Sequence, residues 1–254
     1  MNEQLIYQVY VGKRNLLYDK CTATVKAYCE RHDIDYIQQV EPTLRITPDP
    51  LTNGRSPQAT DRLGYLPIFE KENALELLGA EYDQVAVIDA DIWIRDTAPN
   101  IFDEIAGGGV DFAGVVERDA PIKPTYATKL QGYARGQYGN PNFPFMNMGV
   151  MLMNQSLREF CPESPEEFIR RSEFKAFVDG SGNYKWSTDQ TLLNTWLHKS
   201  HARVKFMDWR WNALYGALQP GKVDEAYFVH FFLKDHLTSN DPEILLKSAG
   251  RPRV

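Results

Sequence analysis

The chain has 254 residues, of which 43% are hydrophobic and 24% charged, and its formal net charge is −6. That composition provides core enough for one α/β domain and disfavours a nucleic-acid polyanion as the main partner, which would require clustered Lys and Arg. The opening MNEQLIYQVY lacks the basic start and small-residue cleavage site of a signal peptide, and no apolar run approaches the ~20 residues of a membrane span, so a soluble, cytoplasmic protein is expected.

LIYQVYV, residues 5–11, reads as a first buried strand ending at Gly12. Tyr18, Cys21, Val25 and Tyr28 recur at helical spacing through residues 16–31. DYIQQV, 35–40, reads as a second strand, and the Pro- and polar-rich stretch 41–61 as a loop long enough to be functional. Pro67 suits the first turn of a helix running to Leu78, with Gly79 as its stop.

VAVIDADIWI follows at 85–94, and its continuous apolar start suggests a central parallel strand covered on both faces. Residues 110–116 suggest another strand. The Gly-, Pro- and Tyr-rich segment 117–144 is weakly patterned, and FMNMGVMLMN, 145–154, reads as a buried strand. Residues 165–176 and 188–198 look helical, with a Gly-rich loop at 179–183, and 203–207 and 226–232 look like late strands.

Strands alternating with helices predict an open, mostly parallel sheet with helices on both faces, in a single domain. Ligands of such sheets bind beyond the carboxyl ends of the strands, which directs attention to the end of residues 85–88. Cys21, Cys29 and Cys161 form neither CxxC spacing nor an even set, so no disulfide framework is implied.

Asp89 and Asp91 follow that apolar strand directly. In an extended chain residues i and i+2 point to one side, so two carboxylates converge on a small volume. Unpaired they would repel one another and resist desolvation. A divalent cation such as Mg²⁺ or Mn²⁺ relieves both, and keeps positions open for phosphate oxygens. The plain alternative is a solvated Asp-x-Asp turn, but acidic groups rarely follow an apolar strand into a ligand crevice without a partner.

Asp89-Ala90-Asp91 within VAVIDADIWI resembles the DxD segment of GT-A glycosyltransferases, especially the glycogenin and lipopolysaccharide galactosyltransferase family, family 8, and related viral and bacterial enzymes. Thr97 to Phe102 stands where that family has a short "dLF"-like segment. FMNMGVMLMN resembles its FNxGVLLxN strand, STDQTLLNTWL its DQxxLN helix start, and AYFVHFFLKDHL, more weakly, its HxxGxxKPW segment. The four stretches occur in order across about residues 5 to 237.

The resemblance implies a GT-A fold in which residues 1–116 hold a nucleotide diphosphate sugar, a UDP-sugar favoured, and residues 117–254 serve the hydroxyl or glycan acceptor. It implies that Asp89 and Asp91 hold the cation, with Asp89 also near the donor ribose. His230 is the third implied ligand, with His236 in the same loop as the alternative. An imidazole beside two carboxylates favours Mn²⁺ over Mg²⁺. The family's glycine is missing, and Lys234 comes four residues after His230 rather than six.

Lys234 is implied at the diphosphate and Arg62 at the donor phosphates or sugar, against surface roles for both. Tyr10 and Val11 stand where the family cradles the base, and Asn147 and Gly149 match the FNxGV strand. Gly149 allows close approach of a ligand or of a packed strand. Asp189 and Gln190 match the DQ pair near the reacting sugar, while Ser187 with Gln190 also reads as a capping box. Tyr126, Tyr133, Tyr138 and Arg135 suggest an acceptor site, and Trp186, Trp209 and Trp211 are further candidates for stacking on sugar.

Family 8 implies retention of anomeric configuration. Were the reaction inverting, Asp189 would be the candidate base. Two other classes fit an apolar strand ending in Asp-x-Asp. One is a haloacid-dehalogenase-like phosphohydrolase, whose motif normally opens the chain. The other is a sugar- or nucleotide-binding protein of the same fold without turnover.

Overall fold

The computed structural model describes residues 3–43, 67–161, 164, 188–232 and 234–249. Arg62, the helix read at 165–176, the Gly-rich loop at 179–183 and most of the loop read at 41–61 lie outside them.

Strand β1, Gln4–Val9, is followed by helix α1, Leu16–His32. Asn15 caps α1 by accepting from the Tyr18 amide at 3.0 Å. Its apolar stripe of Leu17, Cys21, Val25 and Tyr28 is buried. Strand β2, Asp35–Gln39, runs parallel to β1. The helix expected from Pro67 to Leu78 is instead a 3-10 helix, Pro67–Asn73, passing into one α turn, α2, Ala74–Leu77. Strand β3, Gln84–Ile88, then pairs in parallel with β1.

Strand β4, Ile92–Ile94, leaves this sheet just after the Asp-x-Asp turn. Strand β5 is Phe112–Val116, helix α3 Pro124–Tyr138, and strand β6 Met146–Asn154. Helix α4, Thr188–Ser200, strand β7, Val204–Phe206, and strand β8, Ala213–Leu214, follow. Strand β9, Phe228–His230, and helix α5, Pro242–Ala249, complete the described elements.

Helix α3 lies within the segment 117–144 that reads as only weakly patterned. Pro124 opens it, and Gly139 closes it in the left-handed region with φ of 67°. Only Tyr133 and Ala134 of α3 are buried, so little apolar periodicity marks it.

The main sheet has the order β2-β1-β3-β6-β5-β7. Its β1·β2, β1·β3 and β5·β7 pairings are parallel, and β6 is antiparallel to both neighbours. Alternation along the strands divides the core. Leu5, Tyr7, Val85 and Val87 join Leu193, Trp196 and Leu197 of α4 on one face. Ile6, Ala86 and Ile88 join Val25 and Tyr28 of α1 on the other. A second sheet, β4-β9-β8, was not anticipated; it takes the end of the segment 85–94 and the middle three residues of the strand read at 226–232.

Strand β6 meets its two neighbours differently. Its antiparallel register with β3 sets Val150 opposite Ile88, and the Asp89 amide donates to the Gly149 carbonyl at 2.8 Å. On the other edge, Gly114 pairs with Met151 and Val115 with Asn147, so the β5 register passes over Met148, Gly149 and Val150. This irregularity frees backbone carbonyls that must find partners elsewhere.

The edge carrying β5 and β7 is pinned by Asp111. Its buried carboxylate accepts from the Arg203 guanidinium at 2.6 and 3.0 Å, the Arg203 amide at 2.7 Å and the Ser156 hydroxyl at 2.5 Å. Arg203, outweighing the effect of burial, holds the Asp111 pKa down at about 2. A folded-state pKa below the unfolded value of about 3.9 contributes stability above that value, and the contribution fades as pH falls toward 2. Asp111→Ala should therefore cost about 3 kcal/mol at neutral pH, or roughly 6–12 °C in Tm for a chain of this size. The deficit should shrink at acid pH. Melting curves of both proteins between neutral pH and the acid limit of folding test this, and a pH-independent deficit would reject it.

Candidate metal centre

The end of β3 carries Asp89, the Asp-x-Asp turn carries Asp91, and β9 carries His230. Ile92 of β4 pairs with His230, and the Phe231 amide donates to the Asp91 carbonyl at 3.0 Å. The three side chains are thereby brought together. His230 Nε2 lies 3.4 Å from Asp91 Oδ1 and 3.8 Å from Asp89 Oδ2. Asp91 and His230 are buried, and Asp89 is partly open to solvent. Among the described residues this is a group whose ligand atoms all lie within 4.8 Å of one another.

Ligands at about 2.1 Å from one octahedral ion are separated by roughly 3.0 Å when adjacent and 4.2 Å when opposite. The His–Asp separations fall inside that span. Two carboxylate oxygens and one imidazole suit Mn²⁺, Mg²⁺ or a similar ion. His236 sits exposed in the 3-10 turn Lys234–His236, outside this group.

The orientation of His230 follows from its neighbours. Asn212 Nδ2 donates to Asn147 Oδ1 at 2.9 Å and to the Asn147 carbonyl at 3.2 Å. Asn212 must then present its oxygen to His230 Nδ1, 3.0 Å away, which makes Nδ1 the donor. With Nδ1 as the donor, Nε2 is the ring nitrogen that faces the carboxylates and would be the one to ligate an ion, as this orientation of a ligating histidine requires.

Gly149 provides the space for that ring. It lies within β6 and is not among the glycines of positive φ, so its backbone conformation does not demand glycine. A β-carbon there would stand 2.4 Å from His230 Cε1 and 2.6 Å from Nδ1.

Two lysines flank the carboxylates. Lys234 Nζ is 3.0 Å from Asp91 Oδ2 and 4.7 Å from the centre of the Tyr18 ring. Burial alone would raise the Asp91 pKa, but the charge of Lys234 beside it holds it well below the usual carboxylate range. Lys234 is raised in turn, because Asp91 and Tyr18 outweigh its partial desolvation. Lys71 Nζ is 2.6 Å from Asp89 Oδ1 and 3.2 Å from the Met148 carbonyl, one of the groups passed over by β5. No sequence pattern singled out Lys71.

Asn147 also leads to a second cluster. Its Nδ2 donates to Glu117 Oε1 at 2.9 Å, and Gln190 Nε2 donates to the same oxygen at 2.9 Å. Tyr126 donates to Glu117 Oε2 at 2.6 Å. Burial and then Glu117 push the Tyr126 phenol upward, which keeps it a donor. Glu117, just past β5, and Asn212 were both missed from sequence. The Gln190 amide group is given to Glu117, and Ser187, the other half of the capping box read from sequence, lies outside the described residues. Asp189 lies in the first turn of α4.

Tyr10 is buried beyond β1, where its hydroxyl accepts from the Asn15 amide at 2.8 Å and donates to Asp19 at 3.1 Å. Its ring meets Tyr18 edge-on at 5.1 Å, and so reaches Lys234 through Tyr18. Val11 is half-buried beside it and Ala90 is buried within the Asp-x-Asp turn. Tyr133 and Tyr138 pack with Phe143 and Phe145 in an aromatic cluster, and Trp211 is buried with its indole N–H on Glu104 at 2.8 Å. Tyr133 and Trp211 are buried and committed to packing rather than to an open sugar-stacking surface, whereas Tyr138 is half-buried.

No protein-family model and no curated protein matches the chain. Solved structures do. The galactosyltransferase LgtC, in complex with donor and acceptor sugar analogues, superposes with a TM-score of 0.59 at 14% identity, covering 97% of this chain and 95% of its own. The fold is the GT-A fold. A glycosyltransferase involved in glycosylating the major capsid of PBCV-1 superposes with a TM-score of 0.54 at 15% identity, over 97% and 98% of the two chains. Mouse xyloside xylosyltransferase 1 in its apo form gives 0.51 at 12% identity, over 91% and 98%. At these identities the likeness is one of architecture, and it removes the basis for the haloacid-dehalogenase alternative. Among the described residues no helix of this GT-A chain is long and apolar enough to cross a membrane.

Proposed function

We propose that this GT-A chain is a metal-dependent glycosyltransferase. It moves a hexose-type sugar from a nucleotide diphosphate sugar, a UDP-sugar favoured, to a hydroxyl of a glycan or other acceptor, with retention of configuration. The observation that carries this reading is the convergence of Asp89 Oδ2, Asp91 Oδ1 and His230 Nε2 at the carboxyl end of β3. That is where open α/β sheets bind their ligands.

Asp89, Asp91 and His230 would hold Mn²⁺ or Mg²⁺, which supplies Lewis-acid neutralisation of the charge developing on the departing diphosphate. Asn212 fixes His230 in its ligating tautomer. Lys234, on the more open side of Asp91, is placed to turn toward diphosphate oxygens. Tyr10 and Val11 border the base, Arg62 reaches the donor phosphates or sugar, and Ala90 and Asn147 line the donor side.

Asp189 and Gln190 serve the reacting sugar. Gln190 is steadied by Glu117, itself held by Asn147 and Tyr126. An active-site glutamine-to-glutamate mutant of LgtC has been solved, and we assign Gln190 to a comparable position. One catalytic domain comprises a donor half to residue 116 and an acceptor half beyond it. Positioning of the acceptor hydroxyl against the anomeric carbon provides much of the remaining acceleration.

A thermal-shift panel of nucleotide sugars with and without Mn²⁺ tests the proposal. One donor at about a hundred times its Kd should add about 2.7 kcal/mol, a shift of roughly 5–10 °C, and only when the ion is present. Absence of any donor shift with Mn²⁺ or Mg²⁺ would reject the reading. A shift without turnover in a hydrolysis assay would instead favour a non-catalytic binder.

A further inference from the structure

Glu117 and His230 stand at opposite ends of one chain of hydrogen bonds. Asn147 Nδ2 donates to Glu117 Oε1 at 2.9 Å, and Asn147 Oδ1 accepts from Asn212 Nδ2 at 2.9 Å. Asn212 Oδ1 accepts in turn from His230 Nδ1 at 3.0 Å. Glu117, Asn147, Asn212 and His230 are all buried, and no polar side-chain atom of theirs is both buried and unpaired.

The polarity of this chain is fixed, because a carboxylate only accepts. Asn147 turns its nitrogen to Glu117, so its oxygen is left for Asn212. Two backbone groups agree. The Gly149 amide donates to Asn147 Oδ1 at 3.0 Å, and the Asn147 carbonyl accepts from Asn212 Nδ2 at 3.2 Å. An Asn147 amide turned the other way would set like against like at Glu117, Gly149 and Asn212 together. A buried polar chain of this kind is specific only while every member is satisfied.

A second branch leaves from Glu117. The oxygen that takes Asn147 also takes Gln190 Nε2 at 2.9 Å, while Tyr126 holds Oε2 at 2.6 Å. Gln190, half-buried in the first turn of α4, thus commits its nitrogen to Glu117 and leaves its oxygen to face a ligand. Asn147 itself stands in β6 opposite Val115, where the β5 register breaks, and such irregularities re-aim side chains.

We infer that Asn147 is a positioning residue for both halves of the site: through Asn212 it sets the His230 ring for an ion, and through Glu117 it sets the Gln190 amide. This rests on the reading of His230 as a cation ligand and of Gln190 as a group at the reacting sugar.

Asn147→Asp separates the two duties. It keeps the oxygen that Gly149 and Asn212 need, and it replaces the N–H given to Glu117 with a like charge. Mn²⁺ affinity, from isothermal titration of MnCl₂ with saturating UDP, should be no weaker. The kcat for hydrolysis of the nucleotide sugar identified by thermal shift should fall about tenfold or more, with KM little changed. Asn147→Leu removes both contacts at similar size, and should lose about tenfold in Mn²⁺ affinity as well as the kcat. Asn147→Ser serves in its place if circular dichroism shows that the Leu variant does not fold.

A third readout needs neither ion nor sugar. NMR of metal-free protein, isotope-labelled at its histidine nitrogens and kept alkaline enough to hold the rings neutral, reports the tautomer of His230, assigned by its loss in His230→Gln. The proton should sit on Nδ1 in the unaltered protein and in Asn147→Asp, and should exchange between the two nitrogens in Asn147→Leu. A folded Asn147→Leu with unaltered Mn²⁺ affinity and tautomer, or an Asn147→Asp with undiminished kcat, overturns the inference and leaves the functional reading standing. A proton on Nε2 in the unaltered protein overturns it outright. If the unaltered protein binds no Mn²⁺ with UDP, the functional reading falls, and the tautomer in Asn147→Leu alone then decides whether Asn147 orients His230.

Discussion

Gly149→Ala is expected to fold and to lose its response to Mn²⁺. The added β-carbon would overlap His230 at 2.4 Å from Cε1 and 2.6 Å from Nδ1, and would press on Asn147 Oδ1 at 3.0 Å. His230 cannot retreat in place, because Asn212 holds it from one side and Asp91 faces it on the other. The ring must swing out, losing both its orienting bond and its ligand position. Loss of an orienting partner alone typically costs 10–100-fold in metal affinity, so a drop of about 100-fold is expected for Mn²⁺ titrated in the presence of UDP. The stability cost should be modest, since strand geometry tolerates Ala and its entropy is favourable. Circular dichroism and melting separate the two effects. An unchanged Mn²⁺ affinity in a folded Gly149→Ala protein would remove His230 from the ligand set.

Asp91→Ala should give the other large effect. It takes away the most buried carboxylate of the centre and leaves His230 and Lys234 without their anion. Lys234 can turn to solvent, so folding should survive. If the carboxylate helps hold an ion against the leaving group, its removal should cost about 4 kcal/mol in the transition state, roughly a thousandfold in rate. Mn²⁺-dependent hydrolysis of the nucleotide sugar found in the thermal panel provides the assay. The same variant should show no Mn²⁺-dependent donor stabilisation. Undiminished stabilisation and hydrolysis would defeat the assignment of the cation site.

The inner strands were legible because they are buried on both faces and therefore largely apolar, as Val85–Ile88 is throughout and Met146–Asn154 is apart from Asn147 and Asn154. The convergence of Asp89 and Asp91 was anticipated from the two-residue repeat of an extended chain, but a turn closed by the Ile92 amide donating to the Asp89 carbonyl at 3.1 Å brings them together instead. Helix α3 was lost because so little of it is buried, though Pro124 and Gly139 marked its ends. Lys71 was hidden for a different reason. In Glu70-Lys71-Glu72 it reads as a solvated charge run, yet all three residues are buried. Glu70 there accepts from Thr43 and Asn73, and Lys71 is drawn inward by Asp89 and a released carbonyl. Glu117 and Asn212 acquire meaning only through contacts 30 and 65 residues distant in the chain. No local pattern encodes such meetings.

The ligands stand on two separate layers of β-structure. Asp89 ends a strand of the six-stranded sheet, whereas His230 belongs to the three-stranded one, and the chain passes from the first to the second through Asp91. The grip on an ion is therefore a gauge of how those layers are aligned. A substitution under β8 or α5 that tilts the smaller layer by a fraction of an ångström would loosen the ion without touching any group that binds it.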